Sequence, residues 1–317
     1  MIGGGSWATA LCKVLLEDRS RSIAWWVRSD EVAAALARRG RNPHHLSGLR
    51  FDPSRLAVST RLSEVVERCD LLVLAVPSAY LGEVLQQAEP SLWAGRRVAS
   101  AVKGFIPSEE CSVSQYVERH LLLPPEAVCI ISGPSHAEEV AAGKTTFLDI
   151  ASSHRPLADE VAAALACSYI HTVVSDDVKS LELCGLAKNV YAICSGMLAA
   201  MGGGDNLTAV LISAAAHELH GMIGIPRPVF PFLGDLMVTC FSRHSRNRAL
   251  GEAVMQGISP QEHFRRTGMV AEGWTSSKVL YGLDKTAPTP IADAVYRVLY
   301  LDADPTDEMQ HLIDHVL

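Results

Sequence analysis

Hydrophobic positions follow two different patterns along the chain, and the change falls near residue 175. Before that point, short apolar runs alternate with amphipathic stretches such as SEVVERC and LADEVAAALA. The apolar runs are IAWWV (23–27), LLVLAV (71–76), RVASAV (97–102), VCIIS (128–132), FLDIA (147–151) and YIHTVV (169–174). Uniformly apolar strands that alternate with helices are typical of a parallel sheet covered on both faces. The pattern therefore predicts a doubly wound α/β sheet domain over residues 1–175.

Helical periodicity replaces the strand pattern from about residue 176 to the end of the chain. In the segment DVKSLELCGLAKNVYAICSGMLAAM (177–201), apolar residues at helical spacing form a stripe and extend around most of the helix surface. A helix that is apolar on nearly all sides is expected to be buried. The second half is therefore predicted to be an all-α domain over residues 176–317.

The glycine-rich opening adds a chemical signal to the sheet pattern. The segment GGGSWA (3–8) fits G-x-G-x-x-[GA], and the following TALCKVLLED is predicted to be a helix. In such a turn Gly3 and Gly5 let the backbone approach a pyrophosphate, Ala8 allows close helix–sheet packing, and the helix N-terminus faces the anion. We therefore predict that the first domain is Rossmann-like and binds a dinucleotide cofactor. Only Met1 and Ile2 precede the glycines, so we expect further apolar, β-branched residues upstream of Met1 in the natural chain.

The choice of cofactor depends on the end of the second predicted strand. This strand ends WWVRSD, with Arg28 where an NAD-selective carboxylate often lies. Asp30 comes later and is predicted to be the N-cap of the helix EVAAALARR. An arginine can pair with the 2′-phosphate of NADP or stack on adenine. The sequence therefore slightly favours NADP and leaves NAD open.

Charge and cysteine content exclude several classes of protein. The net charge of −7 argues against a nucleic-acid-binding surface. The eight cysteines show no CxxC spacing, so we expect reduced core residues of a cytosolic protein and neither a disulfide framework nor a metal site. We expect no signal peptide, and the apolar stretch 190–201, broken by Ser195 and Gly196, is predicted to be too short to cross a membrane. The oligomeric state stays open, a homodimer included.

Polar residues follow two of the predicted strands, where an open α/β sheet binds its ligands. Lys103 and Gly104 come directly after the strand at 97–102. In ISGPSHA, Gly133 and Ser135 can supply backbone and hydroxyl donors, while Pro134 is predicted to start a helix. These residues are therefore candidates for a ligand site.

A lysine interrupts the buried helix of the second domain. Lys188 shares its helix face with the small residues Gly185, Ala192, Ser195 and Gly196, which leave room for a ligand or for a close backbone. A lysine in such a place needs a partner or a lowered pKa, and such lysines are common at functional sites. Lys188 is therefore the candidate for proton chemistry.

A basic segment in the second domain has the composition of an anion site. The sequence SRHSRNR places Arg243, Arg246 and Arg248 around Ser245 and Asn247. Guanidinium groups with nearby hydroxyl and amide donors suit a phosphate dianion. In a chain of net negative charge, this local excess predicts a phosphate-binding turn.

Two carboxylates lie at predicted helix starts. Asp235 is predicted to follow a glycine turn in FLGDLMVTC, just before an apolar helix. Glu272 in VAEGWTSSK precedes another helical run, where an acid is favourable on its own account.

Taken in order, GGGSWATAL, AVKG, ISGPSHAEEVAAG, CGLAKNVYAI, LGDLMVTC, SRNR and VAEG resemble motifs of bacterial NAD(P)-dependent glycerol-3-phosphate dehydrogenases. The resemblance spans nearly the whole chain. It implies reversible reduction of dihydroxyacetone phosphate to sn-glycerol 3-phosphate in the cytoplasm, feeding phospholipid synthesis. It implies that Lys188 is the catalytic proton donor–acceptor and also contacts the substrate, and that Lys103 contacts both substrate and cofactor. The other implied substrate residues are Gly133, Ser135, Asp235, Ser245, Arg246 and Asn247. The other implied cofactor residues are Gly3, Gly5, Ser6, Trp7, Arg28, Ala137, Arg246, Val270 and Glu272.

The chain departs from the family pattern at three places. The family usually has a full strand before the glycines, reads AGLGDL where this chain has FPFLGDL, and often has an arginine in LITRG where this chain has Ala214. Two other functions stay open. A 3-hydroxy-acid dehydrogenase would use the same lysine but have less use for SRHSRNR. A non-catalytic dinucleotide-sensing protein would have no reason to bury Lys188.

Overall fold

The computed structural model describes residues 1–106, 108–223, 230–242, 245–268, 270–283 and 287–317. The chain divides into two units, Met1–Leu181 and Glu182–Leu317. The strands are β1 (Ile23–Trp26), β2 (Leu56–Ser59), β3 (Leu71–Leu74), β4 (Arg97–Ser100), β5 (Val128–Ser132), β6 (Thr146–Ala151) and β7 (Ile170–Ser175). The first-unit helices are α1 (Ser6–Leu16), α2 (Asp30–Arg39), α3 (Leu62–Glu67), α4 (Ser78–Leu85), α5 (Val113–His120), α6 (Ala137–Ala141) and α7 (Arg155–Leu165). The boundary at 175/176 between the predicted domains stays a prediction.

The first unit contains a mostly parallel sheet. Strands β3 to β7 form a five-stranded sheet in chain order, and β1 pairs with β2. All these pairs are parallel except β5–β6, where Ile130 pairs with Ala151 in antiparallel register. The prediction of a doubly wound α/β domain is confirmed. The prediction of an entirely parallel sheet was wrong at β5–β6. The sequence pattern of a buried strand carries no information on the direction of that strand.

Ile2 joins the two parts of the sheet. Its N–H donates to the carbonyl of Val73 at 2.8 Å, and its carbonyl accepts from the N–H of Ala75 at 2.8 Å. On the other side, the N–H of Trp26 donates to the carbonyl of Met1 at 2.9 Å. The short segment before the glycines therefore occupies a central position between β1 and β3.

Alternate residues of the strands enter two separate hydrophobic cores. Leu72 and Leu74 of β3 pack in one core with side chains of α3, α4 and α5. Val73 faces the other core, which includes side chains of α1, α2 and α7. This alternation follows from the two-residue period of a strand, and it confirms that helices cover both faces.

The regular elements described in the second unit are helices. They are the main part of α8 (Val178–Ala200), then α9 (Asp205–Ile223), α10 (Phe230–Phe241), α11 (Arg246–Met255), α12 (Pro260–Thr267), α13 (Glu272–Gly282), α14 (Pro290–Tyr300) and α15 (Pro305–His315). The apolar stretch that begins at residue 190 forms the second half of α8, and by length and composition alone the whole helix could cross a membrane. However, 83% of its most apolar window is buried inside the protein, which is the position of a core helix.

Several local predictions were wrong because tertiary context decided the element ends. Ser29, not Asp30, caps α2: its side chain accepts from the N–H of Val32. Asp235 lies inside α10 and does not follow a turn. The helix after β5 begins at Ala137, three residues beyond Pro134. Strand β2 was not predicted, because its sequence LAVS is short and only half-buried.

Candidate functional site

The glycine turn of the first unit has the geometry that the sequence motif predicts. Gly3 has φ of +133°, and a Cβ there would lie 2.4 Å from the carbonyl oxygen of Ala75. Gly5 is the N-cap of α1 and provides no side-chain cap. The N–H groups of the first helical turn are therefore without a side-chain cap, as an anion site at a helix N-terminus requires.

Two side chains outside the motif hold this turn in place. The indole N–H of Trp25 donates to the carbonyl of Gly3 at 2.6 Å. The buried amide of Asn42 donates to the carbonyl of Gly4 at 2.9 Å and to the hydroxyl of Thr9 at 3.0 Å. Neither Trp25 nor Asn42 was predicted from the sequence to support the turn. A lone asparagine in a loop carries no recognisable signal until the fold brings it to the turn.

A cavity of about 350 Å³ opens beside the glycine turn. It is lined by Gly3, Gly4, Gly5, Trp26, Val27, Arg28, Ser29, Val32, His44, His45, Ala75, Val76, Pro77, Tyr80 and Val84. Arg28 and the glycine turn thus line the same cavity. Asp30 is outside the lining residues, and its carboxylate accepts from the hydroxyl of Thr60 at 2.9 Å.

The residues around this turn fit a dinucleotide. Gly3 leaves a cradle that a Cβ would fill. The indole N–H of Trp7 is buried and has no hydrogen-bond partner among the residues that the structure describes. Ser6 contacts His45, with 3.3 Å between its hydroxyl and the ring Nδ1. The two histidines of the lining, His44 and His45, are further candidate site residues that the sequence pattern did not predict.

A second polar group of the first unit lies after β4 and β5. The ammonium of Lys103 donates to the carbonyl of Gly133 at 3.0 Å and to the hydroxyl of Ser135 at 3.4 Å. Ser135 also donates to the carbonyl of Gly133 at 3.0 Å. Ala137 follows as the buried first residue of α6. The structure therefore brings these predicted site residues together at the carboxyl ends of neighbouring strands.

In the second unit, Lys188 of α8 forms an ion pair with Asp235 of α10. Both residues are buried, with 4% and 5% of their surface exposed. A buried charge is costly unless a close partner of opposite sign is present, so each side chain depends on the other. The sequence analysis identified both residues but could not pair them, since 47 residues separate them.

A buried amide network begins at Asn189, the residue that follows Lys188 in α8. Asn189 accepts from the side-chain amide of Asn247 at 2.8 Å, and it donates to Glu272 at 3.5 Å. The side-chain oxygen of Asn247 accepts from the N–H of Gly273 at 2.8 Å. The network links α8, α11 and α13 beside Lys188. Asn189 was missed, although its position directly after a buried lysine was a signal.

Small residues bring these helices unusually close. A Cβ on Gly196 of α8 would lie 2.0 Å from the carbonyl of Arg248, and one on Gly251 of α11 would lie 2.0 Å from the carbonyl of Ile193. The hydroxyl of Ser195 donates to the carbonyl of Cys240 at 3.0 Å. The small residues near Lys188 could make room for a ligand or for a close backbone. For Gly196 and Ser195, the structure shows contact with a neighbouring backbone.

The basic segment has one arginine with a purely internal role. Ser245 is the N-cap of α11, and Arg248 donates to the carbonyls of Cys240 and Phe241 at 3.1 and 3.0 Å. Arg246 is exposed, and its guanidinium donates to the carbonyl of Val270 at 3.4 Å. Arg243 lies outside the described residues. Among the described arginines of this segment, Arg246 is therefore the one that contacts a predicted cofactor residue, Val270.

Glu218 is a buried carboxylate that the sequence analysis did not identify. It accepts from the backbone N–H groups of Ile291 and Ala292 at 2.8 and 3.1 Å, and from the hydroxyl of Tyr191 at 3.2 Å. Burial raises the pKa of Glu218 to about 7, although these hydrogen bonds act to lower it. Glu218 thus joins α8 to the N-terminus of α14.

Comparison with known proteins matches both halves of the chain. Residues 1–158 match the family described as NAD-dependent glycerol-3-phosphate dehydrogenase N-terminus, and residues 177–310 match the corresponding C-terminus. The chain belongs to the NAD-dependent glycerol-3-phosphate dehydrogenase family. The predicted family is confirmed, and with it an NAD(P)-dependent oxidoreductase that acts on a CH–OH group.

Individual members of this glycerol-3-phosphate dehydrogenase family are similar to the chain over nearly their full lengths. The glycerol-3-phosphate dehydrogenase [NAD(P)+] of Syntrophomonas wolfei is 34% identical over 99% of this chain and 93% of the relative. The crystal structure of glycerol-3-phosphate dehydrogenase from Coxiella burnetii has 28% identity and a TM-score of 0.85, covering 99% of this chain and 98% of that one. The Plasmodium falciparum enzyme shares the fold, with a TM-score of 0.85 at 18% identity over 100% and 95% of the two chains.

Proposed function

We propose that this chain catalyses the reversible reduction of dihydroxyacetone phosphate to sn-glycerol 3-phosphate with NADH or NADPH. The observation that carries this proposal is the buried Lys188–Asp235 pair in a chain of this family. A buried lysine held by one carboxylate is suited to donating a proton to an oxygen that becomes negatively charged during reaction.

Lys188 is the proposed proton donor for the reduction. When bound, the nicotinamide supplies the hydride to the ketone carbon. Lys188 stabilises the charge that develops on the carbonyl oxygen and delivers the proton that completes the alcohol. In the reverse direction it accepts that proton. Asp235 holds the ammonium group of the lysine in position through their buried ion pair.

The remaining proposed substrate residues follow from the chemistry of a phosphorylated triose. In the second unit, Arg246 supplies a guanidinium at the start of α11, with Ser245 and Asn247 on either side. A guanidinium binds phosphate through several N–H donors, and binding the remote phosphate orients the reacting carbon. In the first unit, Lys103, Gly133 and Ser135 are the proposed substrate contacts.

The proposed dinucleotide residues divide in the same way. In the first unit, Gly3, Gly5, Ser6 and Trp7 are proposed to bind the pyrophosphate, Arg28 the adenosine end, and Lys103 and Ala137 the rest of the cofactor. The second unit adds Arg246, Val270 and Glu272. Arg28 on the cavity lining supports a slight preference for NADP. The described cysteines are all free thiols, which supports action in a reducing compartment, the cytoplasm.

The test is to follow the absorbance of NADH and NADPH with dihydroxyacetone phosphate as the substrate. We expect turnover with dihydroxyacetone phosphate and little with dihydroxyacetone, which lacks the phosphate. Turnover of 3-oxo acids in its place would indicate a 3-hydroxy-acid dehydrogenase. Binding of NAD(P)H without turnover of either substrate would indicate a dinucleotide sensor.

A further inference from the structure

A second cleft of the first unit, of about 370 Å³, is lined mainly by cationic and polar residues. The lining residues are Ala35, Arg39, Arg41, Asn42, Pro43, Ser47 and Arg50. Three arginines, all exposed, line this one cleft in a chain whose net charge is −7. The glycine turn, Arg28 and the Lys103 group are not part of this lining. The lining of this cleft therefore contains none of the proposed catalytic, substrate or cofactor residues.

The three arginines have no ion-pair partner within the part of the chain that the structure describes. Other arginines of the first unit do form ion pairs. Arg97 pairs with Glu160, and Arg155 pairs with Asp159. Like charges gathered without a counter-charge repel each other, and an anion relieves that repulsion. Three arginines that line one cleft without a carboxylate partner among the described residues therefore point to an anionic ligand.

The loop that carries most of this cleft is closed by the backbone. Gly40 is the C-cap of α2, and its carbonyl accepts from the N–H of Phe51 at 2.8 Å. The intervening segment, residues 41–50, therefore leaves and rejoins the fold at one place. The C-terminus of α2 carries only a partial negative charge, which three full positive charges outweigh.

We propose that this cleft binds a phosphate monoester dianion between Arg39, Arg41 and Arg50. The guanidinium N–H groups match the oxygens of a phosphate, and the hydroxyl of Ser47 adds a neutral donor. A free phosphorylated metabolite and the headgroup of phosphatidic acid share this chemistry. Both are therefore candidates for the ligand.

Asn42 connects the cleft to the glycine turn. It lines the cleft, and its amide donates to the carbonyl of Gly4 at 2.9 Å. Its side-chain oxygen accepts from the backbone N–H groups of His44 and His45 at 3.1 and 3.2 Å. An anion that holds the loop also holds Asn42 in the position that supports the turn. Anion binding and dinucleotide binding therefore strengthen each other, since such coupling is reciprocal.

The test compares two double variants that remove the same charge, both in an Arg246→Ala background that disables the proposed catalytic phosphate site. Arg39→Ala/Arg41→Ala removes two cleft residues. Arg38→Ala/Arg68→Ala removes two exposed arginines that do not line the cleft. The affinity for inorganic phosphate is measured by calorimetry. We expect the cleft variant to bind at least about tenfold more weakly than its control. Equal affinities would overturn the proposal, whether or not the chain reduces dihydroxyacetone phosphate.

Two further measurements identify the source of the phosphate and test the coupling. Glycerol 3-phosphate and vesicles containing phosphatidic acid are each compared with phosphatidylcholine vesicles as the blank. Binding to the soluble ester alone assigns a metabolite, and binding to the acidic vesicles alone assigns a lipid headgroup. For the coupling, phosphate should raise NADH affinity in the control variant relative to the cleft variant. The same effect of phosphate on both variants would refute the coupling.

Discussion

The first and second units place polar groups in different ways. In the first unit, the backbone itself forms the candidate site at a glycine turn, and side chains such as Asn42 and Trp25 support it from behind. In the second unit, buried side chains form the site, and the support is the close contact of helix backbones at Gly196 and Gly251. The first arrangement depends on a local motif, and the second depends on helices that are distant in sequence. Substitutions should therefore affect cofactor binding in one unit and chemistry or packing in the other.

The largest expected effect is on the proposed proton donor. Lys188→Met should lower turnover of dihydroxyacetone phosphate by about 10²–10⁴-fold, because the charge and the proton act in the transition state. NADH affinity, measured by fluorescence titration, should stay within a few-fold of the parent. Asp235→Asn is the companion variant, since it keeps the lysine and removes its counter-charge. Turnover of Lys188→Met within a few-fold of the parent would remove this lysine from the mechanism.

The second largest expected effect is on stability, through the helix packing of the second unit. Gly251→Ala places a Cβ 2.0 Å from the carbonyl oxygen of Ile193. Two helix backbones must separate to admit it, so we expect a loss of about 3 kcal/mol in the free energy of unfolding. Gly282→Ala is the matched control, because no atom of the described residues beyond its chain neighbours and its own helix backbone lies within 4 Å of the added Cβ. Similar unfolding midpoints in urea for both variants would show that the helix contact is looser than the structure indicates.

Glu218 should give the second unit a stability that depends on pH. Its pKa in the folded chain is raised to about 7 by burial, above the usual value near 4.5. The folded chain therefore binds the extra proton between about pH 4.5 and 7, and the free energy of unfolding falls as pH rises through this range. The loss should reach up to about 3 kcal/mol by pH 8.

Glu218→Gln removes this titration and should flatten the profile between pH 5 and 8. Asp302→Asn, which neutralises an exposed carboxylate, is the control that should leave the profile intact. The free energy of unfolding of both variants is measured by urea unfolding at a series of pH values. A profile that rises with pH in the parent would contradict the raised pKa.

Arg246→Ala should weaken substrate binding more than chemistry. Loss of charge-assisted hydrogen bonds to a phosphate costs about 2 kcal/mol, so we expect KM for dihydroxyacetone phosphate to rise by roughly thirtyfold. Arg265→Ala removes an arginine that already pairs with Glu262 and serves as the control. If the affinity of a phosphate-bearing competitive inhibitor were unchanged in Arg246→Ala, the segment at 245–247 would be a solvated helix start.

Asn42→Ala should give the smallest effect. It should act on dinucleotide binding by the first unit. The carbonyl of Gly4 and the hydroxyl of Thr9 lose their buried donor. We expect NADH affinity to fall by about tenfold, because the turn loses one hydrogen-bonded support of about 1 kcal/mol or more. Asn206→Ala, an exposed asparagine of α9, is the control. NADH titration that gives equal affinities would show that the backbone holds the turn without Asn42.

Much of the first unit could be predicted from local pattern. Uniformly apolar runs identified six of its seven strands, and the spacing GGGSWA identified the turn that begins α1. These features are local: a strand and a glycine turn are specified by residues a few positions apart. Strand β2 escaped prediction because it is short and half-buried. The antiparallel direction of β6 also escaped, since direction depends on the path of the connecting chain.

Periodicity and motif spacing act over short distances, so local sequence was enough to specify the α/β-then-α order, the dinucleotide turn and the lysine on a buried helix. The partners of these residues depend on how the chain folds. Lys188 meets Asp235 across 47 positions, and Asn42 reaches Gly4 across 38. The tertiary structure also brings Glu218 to the N-terminus of α14, 73 positions away, and buries it, and the burial raises its pKa. Burial and the pairing of distant charges arise when helices and strands pack, so no local stretch of sequence specifies them.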